Sequence, residues 1–91
     1  MRKITRDVVG AFLRGESRNI GNMSTDGTRL WLHGNMIARK ENGHIIVTTC
    51  GWNTLTTRER LNAIPGVSVN VSRGVLYLND KRWDGGEKEI R

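Results

Sequence analysis

The sequence predicts an α+β domain: antiparallel β-meanders with two helices packed on the sheet, in the order αββββαβββ. Three observations carry this. Turn dipeptides suited to tight hairpins recur at Asp26-Gly27, Gly34-Asn35 and Asn42-Gly43, with six residues between each and the next. A second series, Arg73-Gly74 and Asn79-Asp80, follows Val67-Ser68-Val69-Asn70-Val71, which alternates apolar and polar as a half-buried strand does. Two further segments carry helix signals instead. At 91 residues the chain has room for one domain and one modest core.

Each element follows in order. A helix is predicted over 5–14, because Val8, Val9, Phe12 and Leu13 fall on one stripe and Gly15 can end it. Strands are predicted over 20–25, 28–33, 36–41 and 44–50, between the turn dipeptides. Thr56-Thr57-Arg58-Glu59 has the form of a capping box, with Thr56 as N-cap and Glu59 reaching back, so a helix is predicted over 56–64. Pro65-Gly66 stops it, since a residue before proline disfavours the helical region. Strands over 67–72, 75–78 and 81–84 complete residues 1–84 as a single α+β domain. Residues 85–91, with two glycines and mostly charged side chains, are expected to form a flexible charged tail.

Two-residue turns set cross-strand neighbours, so the faces can be derived. Met23, Leu30, Leu32, Ile37 and Ile46 share one face, which is aliphatic and needs a helix over it. Arg29, Trp31, His33, Met36, Ala38, Lys40, Ile45 and Val47 share the other. In the second meander Val67, Val69, Val71, Leu76, Leu78 and Trp83 are expected in the core.

Composition narrows the function. Fifteen Lys and Arg against nine Asp and Glu give a net charge of +6, and no apolar run approaches the length of a membrane span. The basic start, Met1 to Arg6, has no apolar stretch behind it and does not read as a signal peptide. A single cysteine, Cys50, excludes an internal disulfide and fits a cytosolic setting.

No catalytic, metal or cofactor site is expected. His33 and His44 fall on opposite faces in this register, Cys50 stands alone at a strand end, and no pair has a metal-ligand spacing. No glycine-rich phosphate loop precedes a helix.

Binding is the expected mode of action. Through residue 40 the chain has eight basic and three acidic residues, so this part supplies +5 of the +6. Arg2, Lys3, Arg6, Arg29 and Lys40 are therefore expected to form one positive surface for nucleic acid. Trp31, sharing a face with Arg29, His33 and Lys40, is expected to stack on unpaired bases. The alternative is an apolar patch centred on Trp31, with Met36, Ile45 and Val47, that binds a host protein or a second copy of the chain. A third reading of that face is that the first helix simply covers it. Arg60 and Asn62 lack a helical reason to be there and are expected to bond the adjacent sheet or a partner.

Several segments together resemble small bacteriophage (tailed-phage) proteins of unknown function. They are Leu32-His33-Gly34-Asn35-Met36-Ile37-Ala38, Gly51-Trp52, Thr56 to Asn62, Pro65-Gly66-Val67-Ser68 and Leu76 to Trp83. The resemblance spans about residues 5 to 84; similar sequences tend to have Gly where this chain has Asp80. It implies a viral origin and a life in the host cell cytoplasm. It assigns no activity, and favours a protein that binds host or viral components.

Overall fold

The computed structural model describes residues 3–52 and 54–90. The fold is α+β. In chain order the elements are α1 (Lys3–Arg14), β1 (Arg18–Ile20), β2 (Met23–Thr25), β3 (Arg29–Leu32), β4 (Asn35–Glu41), β5 (His44–Val47), α2 (Leu55–Asn62), β6 (Val69–Ser72), β7 (Val75–Leu78), β8 (Lys81–Arg82) and β9 (Lys88–Ile90). The strands form a six-stranded sheet, β1-β2-β3-β4-β5-β9, and a three-stranded sheet, β6-β7-β8, with antiparallel pairing throughout.

Two additions change the predicted order. The segment expected as one strand over 20–25 is a hairpin, β1–β2, in which Ile20 pairs with Met23 around Gly21-Asn22. Gly21 has a φ of +58°, and a Cβ there would stand 2.8 Å from the Ile4 Cδ1. The expected tail, 85–91, contains β9, which pairs with β5 by matching Ile45 with Ile90 and Val47 with Lys88. The segment is held by one buried aliphatic side chain, Ile90, and by Gly85, whose carbonyl accepts from the Thr49 backbone N–H at 2.9 Å and the Thr48 hydroxyl at 2.9 Å. A charged composition outvoted by one well-placed isoleucine explains why the tail reading failed.

The register also departs from expectation: residues 26–29 separate Thr25 from its partner Leu30, where a two-residue Asp26-Gly27 turn was expected, a slip of two that keeps the faces, and two further steps follow. The β3–β4 turn is His33-Gly34, one residue earlier than predicted, with φ of 53° and 79° and Leu32 opposite Asn35. It is the same left-handed pair, with Gly second, that Asn42-Gly43 and Arg73-Gly74 form. A bulge then inserts Ile37 into β4, because Trp31 pairs with Met36 but Leu30 pairs with Ala38. From Ala38 onward every β4 and β5 side chain is therefore on the face opposite to the predicted one. Ala38, Lys40, Ile45 and Val47 point to the Leu30 side; Arg39 and Ile46 join Trp31.

One core results. Val8, Val9 and Phe12 of α1 meet Met23, Leu30, Leu32, Ile37, Ala38 and Val47 of the large sheet, and Leu61, Ile64, Val67, Val69, Leu76 and Leu78 continue the same cluster. Val71, expected in the core, is 40% exposed, and Ile46 lies outside the cluster. α1 ends in a Schellman motif: the Glu16 N–H donates to the Ala11 carbonyl at 2.8 Å, and the Gly15 N–H to the Phe12 carbonyl at 3.2 Å. α2 starts before the predicted box. Its N-cap is Thr54 rather than Thr56, and the Thr54 hydroxyl accepts from the Thr57 N–H at 3.1 Å. Glu59 accepts from the Thr5 hydroxyl of α1 at 3.0 Å and pairs with the buried Arg60. Asn62 bonds the sheet as expected. Its side chain donates to the Val69 carbonyl at 2.9 Å and accepts from the Val69 N–H at 2.6 Å, so it stands in for a neighbouring strand.

Candidate nucleic-acid interface

The predicted binding residues are divided by the sheet. Arg2 lies outside the described residues. Lys3 and Arg6 occupy exposed positions on α1, which packs over β1, β2 and β3 on the Leu30 side. Arg29 and Trp31 stand on the opposite face. There the Arg29 guanidinium lies 5.9 Å from the centre of the Trp31 ring, and its Nε is 3.7 Å from Asp26. Trp31 is half-buried rather than exposed, so the platform expected of it is occupied by the chain's own cation.

Lys40 has a structural place. The bulge turns it inward, under the end of α1, where its ammonium donates to the Phe12 carbonyl, to the Leu13 carbonyl at 3.4 Å and to the Gly27 carbonyl at 3.2 Å. It also sits 5.1 Å from the centre of the Phe12 ring. A cation there complements the partial negative charge of a helix C-terminus. The structure therefore joins Arg29 to Trp31, separates both from Lys3 and Arg6, and removes Lys40 from the surface set. The β2–β3 loop beside it is fixed by Asp26, whose carboxylate accepts from the Arg29 and Thr28 N–H groups at 2.8 and 2.9 Å. These two bonds hold the Asp26 pKa below the ordinary carboxylate value.

A second arrangement involves residues that the sequence did not single out as a site. Between β7–β8 and β9 runs a groove of about 820 Å³, bordered by Lys81, Arg82 and Lys88, with Leu76, Leu78 and Trp83 in its walls. Trp83 is half-buried against the core, and its indole N–H donates to the Gly86 carbonyl at 2.8 Å. The acidic side chains of this region are engaged. Glu87 binds both Nη atoms of Arg39 at 2.5 and 3.3 Å, Glu89 faces His44 at 3.7 Å, and Asp84 accepts from the Gly86 N–H at 2.8 Å. Hydrogen bonding to Glu87 raises the Arg39 pKa. Lys81, Arg82 and Lys88 are exposed and make no ion pair among the described residues.

With this geometry in view, the comparison with protein families is decisive about origin: residues 1–87 match the Kyanoviridae Gp96 protein family. The chain belongs to that family. Kyanoviridae Gp96 is a tailed-phage (cyanophage) protein family, in agreement with the phage resemblance of the sequence. The matched segment takes in both helices and β1 to β8, and β9 lies beyond it. Comparison with curated proteins and with solved structures gives no match.

The remaining reactive side chains of this Gp96-family chain are dispersed. His33 meets Asn22 at 3.2 Å, and His44 meets Glu89. Cys50, expected at the end of a strand, is exposed in a turn with φ of 53°, because β5 stops at Val47. No three His, Cys, Asp or Glu side chains gather as metal ligands among the described residues, and no described helix is long and apolar enough to cross a membrane. The exposed tryptophan is Trp52, at 59%, followed on α2 by Leu55 at 75%. The one sequence signal for the β8–β9 groove was the cation pair Lys81-Arg82 beside Trp83; its other wall depended on the strand hidden in the tail.

Proposed function

We propose that this phage protein acts in the host cytoplasm by non-covalent binding, with nucleic acid as its ligand. One observation carries the reading. After the internal pairs are made, the exposed Lys3, Arg6, Arg18, Arg73, Lys81, Arg82 and Lys88 have no ion-pair partner among the described residues. Most of the acidic side chains, by contrast, are tied to a cation or to backbone N–H groups. The surplus of positive charge therefore stands at the surface as separate solvated cations, which is what a polyanion exchanges its counterions for.

The test is fluorescence anisotropy with single- and double-stranded oligonucleotides at two salt concentrations. Affinity falls steeply with salt, and the log–log slope falls by about 0.7 to 0.9 for each phosphate that a substitution leaves without its cation. Lys3→Glu with Arg6→Glu measures the contribution of α1. Absence of binding at low salt removes nucleic acid as the ligand.

A second reading rests on Trp52 and Leu55, exposed on either side of the N-cap of α2, with Val71 sharing a groove with Leu55. These replace Trp31 as the centre of an apolar surface for a host protein. Binding of that kind is centred on a few aromatic and aliphatic anchors and is nearly indifferent to salt. Trp52→Ala with Leu55→Ser abolishes it and leaves oligonucleotide binding unchanged.

A further inference from the structure

We infer that the groove between β8 and β9 is a site for single-stranded nucleic acid, in which Lys81, Arg82 and Lys88 contact phosphates and Trp83 contacts a base; this rests on the nucleic-acid reading above. Four features meet here. The groove, about 820 Å³, lies in the range of 300–1,000 Å³ that small-ligand sites occupy, so it accepts a short stretch of strand. Its rim carries three exposed cations that make no ion pair among the described residues. Three carboxylates also line the groove, and each already has a partner within the chain: Glu87 pairs with Arg39, Glu89 faces His44 at 3.7 Å, and Asp84 accepts from the Gly86 N–H. A half-buried indole, fixed by its bond to the Gly86 carbonyl, lies in the wall beside an apolar lining of Leu76 and Leu78.

This combination selects the single strand over the duplex. Both offer phosphates to the cations, but a base inside a duplex is already stacked and cannot reach a ring set in a groove wall. The same ring and lining have nothing to offer a phosphate alone. The site is also independent of α1, whose exposed cations lie on another element.

The experiment uses the full chain and a labelled oligothymidylate of about 12 nucleotides, a length comparable to the site sizes of small single-strand binders. Anisotropy gives affinity, and tryptophan emission reports the ring. Lys81→Glu with Lys88→Glu weakens binding by about tenfold or more at low salt, and lowers the salt slope by roughly 0.7 for each phosphate no longer neutralised. Both side chains are exposed, so circular dichroism and melting temperature stay at wild-type values. Trp83→Phe removes the oligonucleotide-induced change in emission, whereas Trp52→Phe retains it. A duplex of equal length competes poorly with the single strand. If the chain binds oligonucleotides but the Lys81 and Lys88 substitutions leave affinity intact while Lys3→Glu with Arg6→Glu abolishes it, the groove assignment is overturned and the nucleic-acid reading stands. Absence of any oligonucleotide binding at low salt overturns both.

Discussion

The turn spacing predicts a place for Lys40 on the Trp31 face, and the structure sets it beneath a helix end, so its replacement separates the two registers. In Lys40→Met the aliphatic stem is kept and the ammonium is removed. Three carbonyls, of Phe12, Leu13 and Gly27, then lose a charged donor. A cation at a partly buried helix C-terminus contributes up to about 2 kcal/mol, and a buried carbonyl left without a partner costs about 1–3 kcal/mol. These overlap and do not add. The Phe12 carbonyl also retains the Gly15 N–H at 3.2 Å, which keeps the total toward the lower end. A loss of about 2 kcal/mol results, and for a domain of this size that lowers the melting temperature by roughly 8–16 °C. The control is Arg29→Ala. Arg29 is exposed, meets Asp26 at 3.7 Å and lies 5.9 Å from the centre of the Trp31 ring, so its loss costs about 1 kcal/mol. Thermal and urea unfolding followed by far-ultraviolet circular dichroism measures both. Lys40→Met within about 0.5 kcal/mol of wild type, the ordinary range of a surface substitution, would refute the inward register.

Other outcomes test the remaining contacts. Ending the chain after Glu87 removes β9 and the buried Ile90 while keeping the Arg39–Glu87 pair; burial of one such side chain predicts a loss of about 1.5–3 kcal/mol in urea unfolding, against none for a frayed tail. Asn62→Ala leaves the Val69 N–H and carbonyl unpartnered at the edge of β6 and costs about 1–3 kcal/mol, which Asn62→Asp does not restore because it keeps only the acceptor. Gly85→Ala sets a Cβ 2.5 Å from the Thr49 hydroxyl at a φ of +86°, so it destabilises by about 1 kcal/mol or more, and Thr49→Ser, which keeps that hydroxyl, does not relieve it. Asp26 has a folded pKa below its unfolded one, so its stabilising effect is full above the unfolded value near 3.8 and fades as pH falls through the folded value. The melting temperature of wild type therefore drops more steeply below about pH 4 than that of Asp26→Asn, which retains the loop acceptor without titrating.

Local chemistry determined a large share of this protein from the sequence alone. Left-handed turn pairs need residues that tolerate positive φ, so Asn42-Gly43, Arg73-Gly74 and Asn79-Asp80 marked their hairpins at the right residues. Helical periodicity with Gly15 behind it marked α1, and Pro65-Gly66 closed α2, because propensity and capping act within a few residues. The α+β class and the phage family follow from such local features taken together. Tertiary structure decided the rest. The bulge at Ile37 costs one residue of register and turns Lys40, Ala38, Ile45 and Val47 inward; it answers the need of the core for aliphatics under α1, which no turn signal encodes. Thr54 rather than Thr56 caps α2, and Glu59 is engaged by the Thr5 hydroxyl of α1 and by Arg60, its neighbour in α2. The charged segment 85–91 contains β9 because β5 offers an edge to pair with and Ile90 is buried in the core cluster. The candidate groove exists only after that pairing. Its cations, its ring and its second wall lie within ten residues of one another, yet what makes them a surface is that β8 and β9 belong to different sheets meeting at one core. A sequence specifies which groups can bond nearby; which face each group finally occupies depends on every strand that pairs before it, and one inserted residue inverts the answer.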